Sequence, residues 1–434
     1  MVSGSVAKEY TPVTSQTLPP FDFASTYRDG NPYPSYARYR TQDPVHVLPD
    51  DIANGTGAGV RALLFGHTDC MRWLRDQRLG REWHQPDDGQ LLPRQRPNPE
   101  PDSFGAVANL FMLFRDPPVH TRLRGVANMA FTPRQVEKLR PQIEAMAIEL
   151  ANELRDANGD DVDLIGQFAF PLPMLVIAEM LGIPREDFRK FRSLAGDIAA
   201  AIDFPVDGLG EFLARVDQST KELAGYLRWL IATRRTEPRD DLLSLLIHAE
   251  ADEGRLSEEE LVATCILLLV AGHETTVNLI GNGTLALMRH PDQWRALVAE
   301  PGLARNAAEE LLRYDAPVQL TARHALEPVE IGGVEIDKGT HVSFVLGSAN
   351  RDESVFEQAD RLDIRRDVGR IMSFGMGIHF CLGAPLARME GEIAFATLAR
   401  QFPKLSLVSD KVHWRPGAVF HGLSELPLSL GSPP

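Results

Sequence analysis

The chain has 434 residues, 44% apolar and 24% charged, the proportions of an ordinary folded protein, which disfavours both a disordered and a membrane-embedded chain. A formal net charge of −15 would repel a polyanion, and no basic run with interleaved aromatics is present, so nucleic acid is not an expected partner. Three cysteines, Cys70, Cys265 and Cys381, have no close pairing, which excludes a disulfide framework and fits a reducing cytoplasm, the expected location.

Residues 1–20 lack an apolar core segment and end in a Pro pair, so they read as a disordered tail rather than a signal peptide. Residues 85–103 are rich in Pro, Asp and Gly and cannot be regular structure; a linker and an active-site lid both fit them. From 133 to 301 the apolar spacing is mostly helical. Within that stretch, Ser257 followed by Glu260 forms a capping box, and the next stop is Pro291, which predicts a rod of roughly 50 Å. Its apolar run, Leu261 to Ala271, is shorter than the ~20 residues of a membrane span and reads as a buried helix, so no membrane association is expected.

Gly272, Glu274, Thr275 and Thr276 interrupt this helix where burial should be deepest. Thr275 lies four residues after Ala271, so its hydroxyl can bond back to that carbonyl; a tolerated kink and a functional opening both remain possible readings. His273-Glu274 superficially matches a zinc protease, but no second His stands three residues after Glu274. Further on, Glu310 and Arg313 have the spacing of a helix pair. Residues 317–345, rich in Val, Thr and Ile with turns at Gly332-Gly333 and Lys338-Gly339, predict a small sheet.

The segment Phe374-Gly375-Met376-Gly377-Ile378-His379-Phe380-Cys381-Leu382-Gly383 precedes a predicted helix over 385–402. A lone Cys is more often core than catalyst. Here the glycines permit tight turns and close approach to a flat ligand, and a Cys before a helix N-terminus has amides and a dipole that favour its thiolate.

This segment, F-x-x-G-x-H-x-C-x-G, resembles the haem-ligand loop of the cytochrome P-450 family. Ala271-Gly272-His273-Glu274-Thr275 resembles that family's oxygen-activation motif, and Glu310-Leu311-Leu312-Arg313 its E-x-x-R motif, in the family's order. The resemblance runs from about Pro32 to Leu426 and includes the HTRLR stretch at 120–124 of soluble bacterial members.

The resemblance implies a single, mostly α domain over 21–434 with a smaller β portion, a long central helix over haem b, and residues 85–103 as a loop over the distal pocket. It implies Cys381 as the iron ligand, with Phe374 shielding the sulfur and Ala271, Thr275, Gly375 and Gly383 against the cofactor. His120, Arg124, Arg323 and His379 are then the propionate partners, and Glu274 and Thr275 the catalytic acid-alcohol pair. Glu310 and Arg313 join Arg361 in a buried ion network, although Ala359-Asp360-Arg361-Leu362 lacks the family's usual Pro and Phe there. The substrate pocket is implied at Trp83, Leu110, Phe111, Leu267, Leu268, Gln319, Leu320, Val419 and Phe420, mostly apolar residues that suit a hydrophobic small molecule.

The implied activity is insertion of one atom of O2 into a polyketide or macrolide, terpenoid, steroid or fatty acid, by hydroxylation or epoxidation. No flavin or nicotinamide fingerprint or spare cysteine cluster stands in the chain, so a ferredoxin or flavodoxin with its NAD(P)H-dependent reductase is the expected electron source. It is expected to dock on the Cys381 side, with Arg122 and Arg140 as candidate contacts, and the enzyme is expected to be a monomer. A peroxide-driven peroxygenase and a non-catalytic haem sensor are the alternatives; the intact Glu274-Thr275 pair argues against both.

Overall fold

The computed structural model describes residues 18–49, 60–82, 100–129, 131–156, 161–203, 209–251 and 256–431. Trp83, residues 85–99 and nearly all of the expected tail lie outside them.

Most of the mass is helical. The helices that place the site are α1 (Tyr33–Gln42), α2 (Val119–Asn128), α3 (Pro133–Asp156), α4 (Pro171–Leu181), α5 (Phe188–Ile202), α6 (Leu209–Thr236), α7 (Glu258–Arg289), α8 (Ala304–Tyr314) and α9 (Ala384–Gln401). The strands are β1 (Val45–Val47), β2 (Val60–Leu64), β3 (Leu79–Gly80), β4 (Asp161–Asp163), β5 (Leu320–Ala325), β6 (Val329–Ile331), β7 (Val334–Ile336), β8 (His341–Val345), β9 (Ser406–Leu407), β10 (His413–Trp414), β11 (Leu423–Glu425) and β12 (Pro427–Ser429).

Helix α7 is the axis of the fold. Ser257 Oγ accepts from the Glu260 amide at 3.1 Å and Glu260 Oε2 from the Ser257 amide at 2.9 Å, so the capping box starts the helix as its sequence predicts. The helix then runs unbroken for 32 residues, packed against α4, α5, α8 and α9. A fully buried Leu or Ile contributes about 2 kcal/mol, and the run Leu261–Val270 is buried throughout. One helix among the described residues, α7, is long and apolar enough to cross a membrane, but 83% of its most apolar window is buried inside the protein. At the crossing with α9, a Cβ on Gly283 would meet Phe395 Cζ at 2.5 Å, so the absence of a side chain sets how closely the two helices approach.

The predicted sheet over 317–345 supplies β5 to β8, with the glycine turn at Gly332-Gly333 joining β6 to β7. Strands β5 and β8 also pair with distant parts of the chain, in the order β1-β2-β8-β5-β3. This places Arg323 opposite Val342 and beside the N-terminal third of the chain. The described residues between 133 and 301 are mostly helical, as predicted, apart from β4 and short turns.

Candidate active site

Phe374 to Gly383 forms a tight loop ahead of α9. The Cys381 amide donates to the Phe374 carbonyl at 2.9 Å, and the Phe380 amide to Gly377 at 3.1 Å. Gly375 and Gly377 hold positive φ of 64° and 74°, and a Cβ on Gly377 would lie 2.4 Å from the Leu74 carbonyl, so a side chain there is excluded twice over.

Burial raises the Cys381 thiol, opposed by the Gly383 and Ala384 amides and by Arg124 and Arg388. Cys265 has no such help and is pushed up to about 12 by burial. Of the two, Cys381 is the one surrounded by groups that favour a thiolate. Arg124 donates to the Phe380 carbonyl at 2.7 Å, and the Arg388 guanidinium lies 4.4 Å from the Phe374 ring while pairing with Glu309.

Beside this loop lies a buried cluster of nitrogen groups. The rings of His120, on α2, and His379 are 4.3 Å apart, and the Nε2 atom of each is buried without a hydrogen-bond partner. Burial, together with Arg323 and Arg81, depresses His379 to about 3, although Asp116 Oδ1 stands 3.9 Å away. Arg323 is 4% exposed, and the hydrogen bond its guanidinium makes goes to the Ala322 carbonyl. Burial lowers it to about 10. A buried guanidinium without a bonded carboxylate is costly, and so are buried imidazoles lacking a partner. Anionic groups entering here would satisfy all three, which is the chemistry of the haem propionates; the residues fit the cofactor.

Between Leu261 and Met288 helix α7 is buried except at Ala271, Gly272 and Thr275. Ala271 is exposed at mid-helix, so the helix opens onto accessible space at one place. Thr275 Oγ1 donates to the Ala271 carbonyl at 3.0 Å, and Thr276 Oγ1 to the Gly272 carbonyl at 3.2 Å. Glu274 is 6% exposed and forms an ion pair with Arg415, a partner that sequence reasoning missed.

A sequence model described as Cytochrome P-450 matches residues 93–412. The chain belongs to the cytochrome P-450 family. It is 40% identical to the polyketide biosynthesis cytochrome P-450 PksS of Bacillus subtilis, over 92% of this chain and 96% of that one. It is also 40% identical to the vitamin D(3) 25-hydroxylase of Pseudonocardia autotrophica, over 92% and 94% of the two chains. A myxobacterial cytochrome P-450 solved with myristic acid superposes with a TM-score of 0.84 at 38% identity, covering 95% of this chain and all of that one. The protein is thus a cytochrome P-450 monooxygenase, and the family binds haem b through a cysteine thiolate.

Two expectations for this P-450 need correction. The Arg361 guanidinium stays outside the buried ion network, bonding Gln358 at the surface; Arg361 contributes its carbonyl, which accepts from Arg313. Glu310 and Arg313, both without solvent exposure, pair at 2.7 Å, and the second cation is Arg366.

Two pocket candidates are committed elsewhere. Gln319 accepts from the Tyr36 hydroxyl at 3.0 Å and donates to the Ala316 carbonyl at 2.7 Å, and Phe111 is fully buried against Phe114. Leu267, Leu268 and Leu320 are buried, whereas Leu110, Val419 and Phe420 are half-buried. The candidate docking arginines are paired within the chain, Arg122 with Glu260 at 2.6 Å and Arg140 with Glu392 at 3.0 Å.

Proposed function

We propose that this cytochrome P-450 hydroxylates or epoxidises a hydrophobic small molecule of the polyketide or macrolide, terpenoid, steroid or fatty-acid type. Electrons come from a separate ferredoxin or flavodoxin and its NAD(P)H-dependent reductase. The substrate, O2, NAD(P)H and a proton give the oxygenated product, water and NAD(P)+. The observation that carries this reading is the single opening of the buried helix α7 at Ala271 and Thr275, which presents a hydroxyl there with the buried Glu274 carboxylate next to it in the chain.

Bound haem supplies the dioxygen chemistry that no side chain offers. Cys381 holds its iron, and Phe374 and Arg388 screen the sulfur from water. Arg124, Arg323, His120 and His379 hold the propionates, the arginines through donor forks that stay charged near neutral pH. Thr275 holds a proton at Oγ1, with the Ala271 carbonyl as the resting acceptor of that hydrogen bond. Glu274 moves a proton between its carboxylate and Thr275 through an ordered water. The leucines of α7 exclude bulk water from this path.

The similarity to a polyketide biosynthesis enzyme and to a vitamin D(3) hydroxylase supports a large apolar substrate. A spectral titration of the purified holoenzyme with a compound panel from the four classes, followed by turnover with a surrogate ferredoxin system, tests the reading. Product that depends on NAD(P)H supports it. Product formed with peroxide alone, or spectral binding without product from any class, would overturn it.

A further inference from the structure

Three polar residues of helix α7, Glu274, Asn278 and Asn282, are spaced four apart and therefore share one face. All three engage the same hairpin, formed by β10, β11 and the turn between them. Glu274 pairs with the Arg415 guanidinium, Asn278 Oδ1 accepts from Arg415 Nη2 at 2.5 Å, and Asn282 Nδ2 donates to the His421 carbonyl at 2.9 Å. Gly422 allows this seating, since its Cβ would fall 2.0 Å from Asn278 Oδ1.

The other side of the hairpin is held by the end of α5. Asp203, which caps that helix, accepts from the Val419 amide at 2.7 Å, with the Ala418 and Phe420 amides also bonding its carboxylate and Arg415 nearby. The turn is further stitched to the strand entering β5 by a bond from the Gln319 amide to the Val419 carbonyl at 2.8 Å.

From this geometry we infer that Arg415 is a positioning residue for the proton-delivering carboxylate. Its guanidinium fixes Glu274 on α7, and Asp203 fixes Arg415 through the hairpin turn. The inference rests on the relay role proposed for Glu274. Glu274 is buried, and among the described residues one cation pairs with it, so the placement of that cation sets where the carboxylate can go. The same hairpin carries Val419 and Phe420, half-buried candidates for the pocket wall. Movement of the wall is therefore transmitted to the acid without an intervening element.

The test uses the holoenzyme with a confirmed substrate and its redox chain. It compares Arg415→Ala, Arg415→Lys and Asp203→Asn, and places Arg415→Ala in a Glu274→Gln background. Arg415→Ala is expected to lower the ratio of product to NAD(P)H consumed by about tenfold, with partial recovery in Arg415→Lys. In the Glu274→Gln background, Arg415→Ala is expected to cause no further loss, because its effect passes through that carboxylate.

Amide hydrogen exchange supplies a readout independent of turnover. Asp203→Asn and Arg415→Ala are both expected to speed exchange at residues 418–420 by about tenfold while α9 stays protected. Wild-type coupling in Arg415→Ala, or an equal further loss in the Glu274→Gln background, would overturn the inference. Should Glu274→Gln alone leave coupling and rate intact, it is the relay reading that fails.

Discussion

Arg366 Nε lies 3.2 Å from Glu310 Oε1, and the same carboxylate accepts two bonds from Arg313. Glu310 thus carries two guanidiniums in a place without solvent access. The Asp363 amide donates to it as well, at 3.0 Å, so the network ties α8 to the loop that precedes the Cys381 segment.

Arg366→Ala is expected to destabilise the protein by about 2 kcal/mol, since Glu310 keeps Arg313 but loses a charged partner. Arg361→Ala, which removes a surface bond to Gln358, is expected to cost about 0.5 kcal/mol or less. Urea denaturation of the two variants checks the contrast. Equal losses would restore Arg361 to the network.

Cys381→Ala is expected to abolish the thiolate-specific absorption band of the reduced carbon monoxide complex. Cys70→Ala and Cys265→Ala should keep it, because both of those thiols are buried without the Gly383 and Ala384 amides and the two arginines that favour a thiolate at Cys381. Retention of the band in Cys381→Ala would remove the ligand assignment.

Arg323→Met separates cofactor binding from folding. It is expected to accelerate haem transfer to excess apomyoglobin by about tenfold or more, because a buried propionate loses its cation. In the haem-free protein the same change removes a buried charge and should leave stability unchanged or raise it. Parallel losses in both measurements would point to a packing role instead.

Thr275→Ala is expected to leave haem content and substrate affinity intact while diverting reducing equivalents to hydrogen peroxide, with coupling down by about tenfold. The measured quantity is product and peroxide per NAD(P)H. Wild-type coupling would leave the hydroxyl with no role beyond its bond to Ala271.

His324 packs against His341 with ring centroids 5.0 Å apart, and burial, followed by the charge of His341, depresses it to about 3. The unfolded chain takes up this proton near 6.5 and the folded chain only near 3, so the unfolded state binds more protons between those values. Stability is expected to fall as pH drops through that window, by at most about 5 kcal/mol from this residue. His324→Gln should flatten that part of the profile relative to wild type; His379 titrates over the same range and remains in both proteins.

What the sequence disclosed was local. The capping box at Ser257 and the glycine loop before Cys381 are each built by neighbours in the chain, so their spacing alone dictates the geometry. Gln319 was misread because side chains alternate at the start of β5: with Leu320 on one face, the Gln319 amide turns to Tyr36 and Ala316. Arg361 and Arg366 lie in one irregular loop, where no periodicity says which guanidinium turns inward. The pairing of Arg415 with Glu274 joins segments far apart in the chain, and neither residue's neighbours announce the other.

The hairpin of β10 and β11 has a consequence for recombination among related enzymes. Exchanging residues 413–425 to alter substrate preference would import a new wall at Val419 and Phe420 and, with it, whatever stands at Arg415 opposite Glu274. Chimaeras that keep Arg415, Gly422 and the amides facing Asp203 would vary selectivity alone. Grafts lacking them would accept new molecules yet squander electrons, so a screen that scores binding would promote variants that a screen for product discards.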